Sequence, residues 1–328
     1  MQEFDINKLR TVLKQVLSKK QEIPNYKRYI SYTLGFIVLS LIIYLSIPFF
    51  FNYSNIKNDL EKKIYNNFGI TVILSENINY NFIPSPRLII KDSKLLSFSG
   101  SSKNIGEIKK IIFRIPFKDL VNAKKIDFNL AEFVNAEINF EEKEFLSFHN
   151  YLLKNINKNK VYFRDSKINL INNRVKIFST QVEKLSISSK HKFSNVVLHG
   201  KIFNSAFKVN YRTKIGELNP SSTLNLNFPK LGFNLNSNII HDKKADLYSG
   251  SARSTLLSNQ FYFNYKLKDN VFKITNSSIK SRYFNGNILG NLFFSPFLVF
   301  DFDLNVKVLK FNKLITELSN KHGNFLKK

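Results

Sequence analysis

The sequence predicts a mainly β protein in which an N-terminal transmembrane helix is followed by an antiparallel β-sheet domain with one or two short helices. Three observations carry that prediction. A stretch of 23 residues, Tyr29 to Phe51, contains no charged side chain. Beyond it, apolar and polar residues alternate with period two over most of the chain. The glycine loops and continuous apolar strands of parallel α/β enzymes are missing.

The uncharged stretch reads YISYTLGFIVLSLIIYLSIPFFF. As a helix it extends roughly 34 Å at 1.5 Å per residue, enough to cross a hydrocarbon core of about 30 Å. Tyr29, Ile30, Leu34, Phe36, Leu41, Ile43 and Phe51 are taken as membrane-spanning residues, with Tyr29, Tyr32 and Tyr53 near the headgroups. The stretch is longer than the apolar region of a cleaved signal, and Pro48-Phe49-Phe50-Phe51 offers no small-residue cleavage site. It reads as an uncleaved anchor.

Lysine and arginine set its direction. Residues 1–28 carry Lys8, Arg10, Lys14, Lys19, Lys20, Lys27 and Arg28, whereas only Lys57, Lys62 and Lys63 follow closely on the other side. Cationic flanks stay cytoplasmic, so residues 52–328 are expected to be exported. The expected organisation is a basic cytoplasmic tail at 1–28, the span at 29–51, a short amphipathic helix at 52–69 and a repetitive β-sheet domain at 70–328. Within the tail, Leu9, Val12, Leu13, Val16 and Leu17 have helical spacing, consistent with an amphipathic helix on the inner leaflet or a solvated tail.

After the span, Ile56, Leu60, Ile64 and Phe68 recur every four residues before Gly69, which predicts a helix and its stop. Phe145, Phe148 and Leu152 predict a second short helix, with Glu141, Glu142 and Glu144 at its N-terminal end.

Strands follow. Phe207, Val209 and Tyr211 alternate with Lys208, Asn210 and Arg212. Leu224, Leu226 and Phe228 alternate with Asn225 and Asn227, and Phe261 and Phe263 lead into Tyr265 and Leu267 in the same way. Phe300, Phe302, Leu304, Val306 and Val308 alternate with Asp301, Asp303, Asn305 and Lys307. Ile126, Phe128 and Leu130, then Ala136, Ile138 and Phe140, read alike. One apolar and one wet face is the antiparallel habit, and roughly 15 to 20 strands are more than an open sheet holds flat. A compact sandwich and an elongated, curled sheet both satisfy this pattern.

Composition narrows the function classes. The formal charge is +26, but it is mostly lysine in a chain rich in Asn, Ile and Phe. Arginine is the side chain that forks onto phosphates and base edges, so nucleic acid is not expected as a partner. A basic face toward anionic lipid stays open. The chain has no cysteine, which removes disulfides, thiolate metal sites and cysteine nucleophiles. Its five histidines form no HExxH or i, i+4 pair, and His241-Asp242 reads as a solvated turn. Asp301 and Asp303 read as a wet strand face. No catalytic, cofactor-binding or metal residue is expected, and no enzyme.

The order of parts from residue 27 resembles the AsmA-like family of bacterial envelope proteins. The resemblance lies in the charged flank and span, IKNDLEKKIYNNFG running into ITVILS, FIPSPRLIIKDSKL at 82–95, and IKKIIFRIPFKDLVNAKKIDFNLAEFVNAEINF at 108–140. VYFRDSKINLIN and GNILGNLFFSPFLVFDFDLNVKVLKFNKLI also look like its repeats. The resemblance implies an inner-membrane anchor and a periplasmic, elongated, curled sheet folded over as a groove. It also implies carriage of phospholipid acyl chains between two membranes. In that reading Phe207, Val209, Leu224, Leu226, Phe228, Phe261, Phe263, Phe300, Phe302, Leu304 and Val306 line the groove. A scaffold that binds envelope proteins during outer-membrane assembly is the alternative. Family members are commonly longer, and roughly 70–100 Å of stacked strands falls short of a periplasm. A short or truncated member, or one acting with partner subunits, is therefore implied.

Overall fold

The computed structural model describes residues 25–98, 103–122, 126–141, 148–153, 159–172, 175–190, 192–257, 259–294 and 299–312. The chain divides into two compact units, Met1–Phe51 and Asn52–Lys328.

In the first unit, helix α1 (Asn25–Ser46) runs into a 3-10 turn at Ile47–Phe50. Proline disfavours α geometry in the residue before it, which accounts for the change just ahead of Pro48. Tyr26–Phe50 is long and apolar enough to cross a membrane, and its side chains are almost all exposed. The hydroxyls of Thr33 and Ser46 donate to the carbonyls of Tyr29 and Ile42, each at 2.8 Å, so neither is left unpaired on the apolar surface. Two details differ from the sequence reading. Lys27 and Arg28 are part of α1 rather than a flank before it, and Phe51 has already left helical geometry at φ −79°, ψ 134°. The basic tail through residue 24 lies outside the described residues.

The second unit opens with a 3-10 turn at Ser54–Ile56 and helix α2 (Lys57–Phe68). Leu60, Ile64 and Phe68 are its buried stripe. Gly69 ends it at φ +64°, its N–H bonded to Tyr65 O at 2.7 Å. A Cβ there would meet the Tyr151 ring at 3.0 Å in a left-handed conformation that L side chains rarely adopt.

Sixteen strands follow: β1 (Thr71–Ile73), β2 (Ile78–Asn81), β3 (Arg87–Ser97), β4 (Gly106–Arg114), β5 (Leu130–Phe140), β6 (Lys160–Asn172), β7 (Val175–Lys190) and β8 (Phe193–Ile202). Then come β9 (Ser205–Lys214), β10 (Ser221–Phe228), β11 (Phe233–Asp242), β12 (Leu247–Leu256), β13 (Asn259–Lys268), β14 (Val271–Lys280), β15 (Phe284–Phe293) and β16 (Val299–Leu309). They form one long, unclosed sheet in which β3 to β16 pair in chain order, while β1 and β2 share the outer side of β3. Short turns suit this meander. Phe203-Asn204 and Asp269-Asn270 each supply two successive positive φ angles, as a tight hairpin between twisted strands requires.

One pair departs from the antiparallel habit. β5 and β6 are parallel, from Leu130↔Lys160 to Phe140↔Leu170. Parallel neighbours need a crossover, and the connection between them includes a helical segment at 148–153. Of the second expected helix, Phe148 and Leu152 fall in this segment, while Phe145 lies outside the described residues. The segment packs on the apolar face. Phe98 sits 5.0 Å from Phe148, 5.6 Å from Tyr151 and 5.9 Å from Phe140, ring to ring.

A crease crosses β3 to β7. Pairing skips Asp92, Lys109, Asn135, Asp165 and Glu183, one on each successive strand. Asp92, Asn135 and Asp165 have φ of 52°, 53° and 48°, where short polar side chains are tolerated. Each extra residue reverses which side chains face inward. Ala131 and Phe133 are buried before the crease on β5, and Ala136 and Ile138 after it. Leu130, grouped in the sequence reading with Ile126 and Phe128 and in phase with Ala136, Ile138 and Phe140, instead faces away from buried Ala131 and Phe133.

Candidate functional site

The register assembles the expected groove residues on one face. Leu198, Val209, Leu226 and Leu235 stand in line across β8 to β11. The row continues through Ser254, Phe261, Ile279 and Gly286 to Val306. Beside it, Leu224, Ser237, Ala252 and Phe263 form a parallel row. Phe207 and Phe228 stack at 5.4 Å, and Phe261 and Phe263 at 4.7 Å. On β16, Phe300, Phe302 and Leu304 oppose Leu292, Gly290 and Ile288.

Going the other way, the first row passes through Leu185, Phe163, Phe133 and Ile111 to Ile90. Solvent access rises along it from β3 to β11, falls again at buried Ser254 and Gly286, and is highest on β16. Ile90, Ile111 and Phe133 are wholly buried and Phe163 nearly so, Leu198 to Leu235 are half-buried, and Val306 is 40% exposed. The buried end is capped by α2 and the β4–β5 connection, as in Phe68–Phe113 and Phe113–Phe128 at 6.1 and 4.6 Å. At the far end Phe300 is 65% and Leu304 54% exposed, so the apolar face of β16 is bare. A single stripe thus runs from a dry core to an open apolar surface.

Glycines shape the floor. Gly250 opposes Tyr265, whose ring lies across it to place the hydroxyl 2.7 Å from Ser237 Oγ. A Cβ at Gly250 would lie 2.0 Å from Asn238 O and 3.0 Å from the Tyr265 hydroxyl.

A polar cluster borders the apolar rows where the crossover reaches the later strands. His149 Nδ1 is 3.3 Å from Tyr211 Oη, which donates to Ser222 Oγ at 2.9 Å, and Ser222 in turn donates to Thr213 at 2.8 Å. His241 stacks on Tyr248 at 4.0 Å and lies 5.7 Å from His149, ring to ring. Burial, with the positive charges of His241 and Lys243 adding to it, pushes the His149 pKa down to about 4. Burial chiefly pushes the Tyr248 hydroxyl up to about 12 and raises Tyr211. His149, Tyr211 and Tyr248 are therefore neutral near pH 7. His149 Nε2 and His241 Nδ1 are buried without a protein partner.

His241 corrects the sequence reading. It is 7% exposed within β11, not part of a solvated turn, and its Nε2 faces Asp246 at 3.4 Å rather than Asp242. No local motif announces this cluster, because its members come from the crossover and four strands. Asp301 and Asp303 are exposed, as expected for a wet strand face. Among the described residues, no group of three or more His, Asp or Glu is placed to hold a metal ion.

The fold and site define an open β-sheet protein with an apolar face, preceded by an N-terminal helix long and apolar enough to cross a membrane. A scan against family models and searches of curated proteins and of solved structures match nothing to this chain. The resemblance to the AsmA-like family therefore rests on the sequence patterns quoted above.

Proposed function

We propose that this chain is a non-enzymatic, AsmA-like lipid carrier, anchored in the inner membrane of a two-membraned bacterium with its sheet in the periplasm. Its apolar face holds phospholipid acyl chains and assists their passage between inner and outer membranes. The supporting observation is the row from Leu198 to Val306, half-buried at Leu198 to Leu235 and exposed on β16, where no covering element lies among the described residues. Each methylene removed from water contributes about 0.8 kcal/mol, so a chain of a dozen carbons on this stripe recovers much of what leaving a bilayer costs. Near-equivalent positions on successive strands let a chain slide without a deep trap. Headgroups remain in water beside the groove.

Mass spectrometry of lipids retained by the full chain purified in mild detergent tests this reading. Phospholipid at near-stoichiometric amounts is expected. A lipid-free protein, with no uptake from labelled vesicles, overturns it. Binding to envelope proteins as an assembly scaffold is the second reading, favoured by the edge of β16, which pairs only with β15 among the described residues.

A further inference from the structure

From β8 onward the turns of the sheet fall on two rims. One rim carries the β8–β9, β10–β11, β12–β13 and β14–β15 turns, and the other carries β9–β10, β11–β12, β13–β14 and β15–β16. On the first rim three successive tips present a bulky apolar residue: Phe203, Leu231 and Leu257. Phe203 is 91% exposed although it meets the Phe178 ring edge-on at 6.1 Å, and Leu231 and Leu257 are each more than half exposed. A hairpin repeats every two strands, so neighbouring tips stand about 10 Å apart. Leu257 N–H bonds to Gly232 O at 2.9 Å, which braces the second tip against the third.

Single exposed apolar side chains are ordinary, but these carry a second cost. Nine non-glycine residues among those described have positive φ. Seven of them are Asp or Asn, and the other two are Phe203 and Leu257, at 47° and 55°. Short polar side chains bond locally in that conformation, whereas a bulky one is only crowded by it. The opposite rim follows the ordinary rule, with Asp246 and Asp269-Asn270 at its left-handed positions. Asparagine at 203 and 257 would relieve both the conformation and the exposure, so turn chemistry does not account for the apolar choice.

Charge separates the rims as well. No Asp or Glu occurs at 203–204, 229–232, 256–257 or 280–283, where Lys230, Lys280 and Arg282 are exposed cations. Lys201, beside the first tip, is already paired with Glu183 at 2.7 Å. The opposite rim holds Glu217, Asp242, Asp246 and Asp269 beside Lys243 and Lys244, with Leu218 and Phe294 as its exposed large apolar residues.

We propose that the first rim docks on an anionic phospholipid surface, with Phe203, Leu231 and Leu257 seated among the headgroups and Lys230 and Arg282 against their phosphates. Apolar tips flanked by cations and free of carboxylate fit such a surface, because the side chains leave water and no negative charge meets the lipid. A helix long and apolar enough to cross a membrane precedes the sheet in the same chain, so tethering favours even weak docking. Docking of this rim does not depend on acyl chains travelling along the apolar face.

The chain has no cysteine, so single engineered ones report one tip each. The full chain, reconstituted in vesicles of phosphatidylglycerol and phosphatidylcholine, is labelled with an environment-sensitive fluorophore at Phe203→Cys, Leu231→Cys or Leu257→Cys. Blue-shifted emission and quenching by spin-labelled lipid are expected at all three. Labels at Lys244→Cys and Asn270→Cys, on the opposite rim of the same face, are expected to stay aqueous, which separates docking from lipid held on the sheet. Most of the quenching should be lost in phosphatidylcholine alone, or with Lys230→Glu and Arg282→Glu together. Phe203→Asn with Leu257→Asn should remove quenching at 231 while thermal unfolding, followed by circular dichroism, is unchanged or shifts upward, because Asn suits both conformations. Tips that stay aqueous in anionic vesicles overturn the proposal, as do equal quenching on both rims and insensitivity to lipid charge. A lowered unfolding temperature in the asparagine variant would assign the tips a packing role and overturn it too.

Discussion

Tyr211 Oη lies 3.3 Å from His149 Nδ1, tying the crossover between β5 and β6 to β9, three strands further along the sheet. The same imidazole touches the rings of His241 and Tyr248, at 5.7 and 5.4 Å. The contact is therefore a clasp between the closed and open parts of the apolar face, and it is made by a group that titrates.

The clasp should loosen in acid. The His149 pKa is lowered to about 4 from 6.5 by burial and by neighbouring His241 and Lys243. With a depressed native pKa, the unfolded chain binds more protons between the two values, so stability is full above pH 6.5 and is lost as pH falls toward 4. The loss is at most about 3 kcal/mol. Protection of the amides at 148–153, corrected for the intrinsic pH dependence of exchange, is expected to fall between pH 7 and 5. His149→Gln should flatten that dependence, and an unchanged slope would remove His149 as its source.

The stripe should answer a carboxylate differently along its length. Phe133→Asp buries an unpaired charge in the dry end and should cost several kcal/mol, enough to unfold the unit. Leu226→Asp and Phe302→Asp stand where water reaches, so circular dichroism should show a folded sheet while photo-crosslinking to lipid falls sharply. Unfolding by all three would mean the later strands are as dry as the first.

Lipid should protect one side of β16. Both faces of this strand are exposed in the lipid-free chain, so water-soluble thiol reagents should label cysteines at 300, 301, 303 and 304 at similar rates. With vesicles or bound lipid, labelling at 300 and 304 should slow while 301 and 303 are unaffected. Slowing at all four, or with a period near 3.6, would refute the strand-face arrangement.

Topology is checked by fusion. The proposed orientation, read from the charge imbalance around the span, has the N-terminus in the cytoplasm. A reporter active only outside the cytoplasm should work after Lys328 and fail before Met1. The reverse pattern inverts the proposed orientation.

Much of this molecule was legible because period-two alternation survives wherever one sheet face is wet. Leu224 with Leu226 and Phe261 with Phe263 landed on a common face because no bulge interrupts the pairing between them. The parallel β5–β6 step was not legible, since a half-wet parallel strand alternates like an antiparallel one. Leu130 misled because the phase is judged locally, and Asn135 reverses it a few residues later. The His149–His241–Tyr248 cluster was invisible for a different reason: spacing in sequence says nothing about side chains that meet only when the sheet brings the crossover back over β11 and β12.

The crease from Asp92 to Glu183 ties the lengths of five strands together. Deleting Asp165 alone would turn Ser166 and Ile168 outward while their neighbours on β5 and β7 kept their facing. Losing the corresponding residue from every strand would leave all facings matched in a straighter sheet. Insertions and deletions here are tolerated only in concert, so β3 to β7 can change length only as a block, whereas β9 to β13 can gain or lose whole hairpins without such bookkeeping.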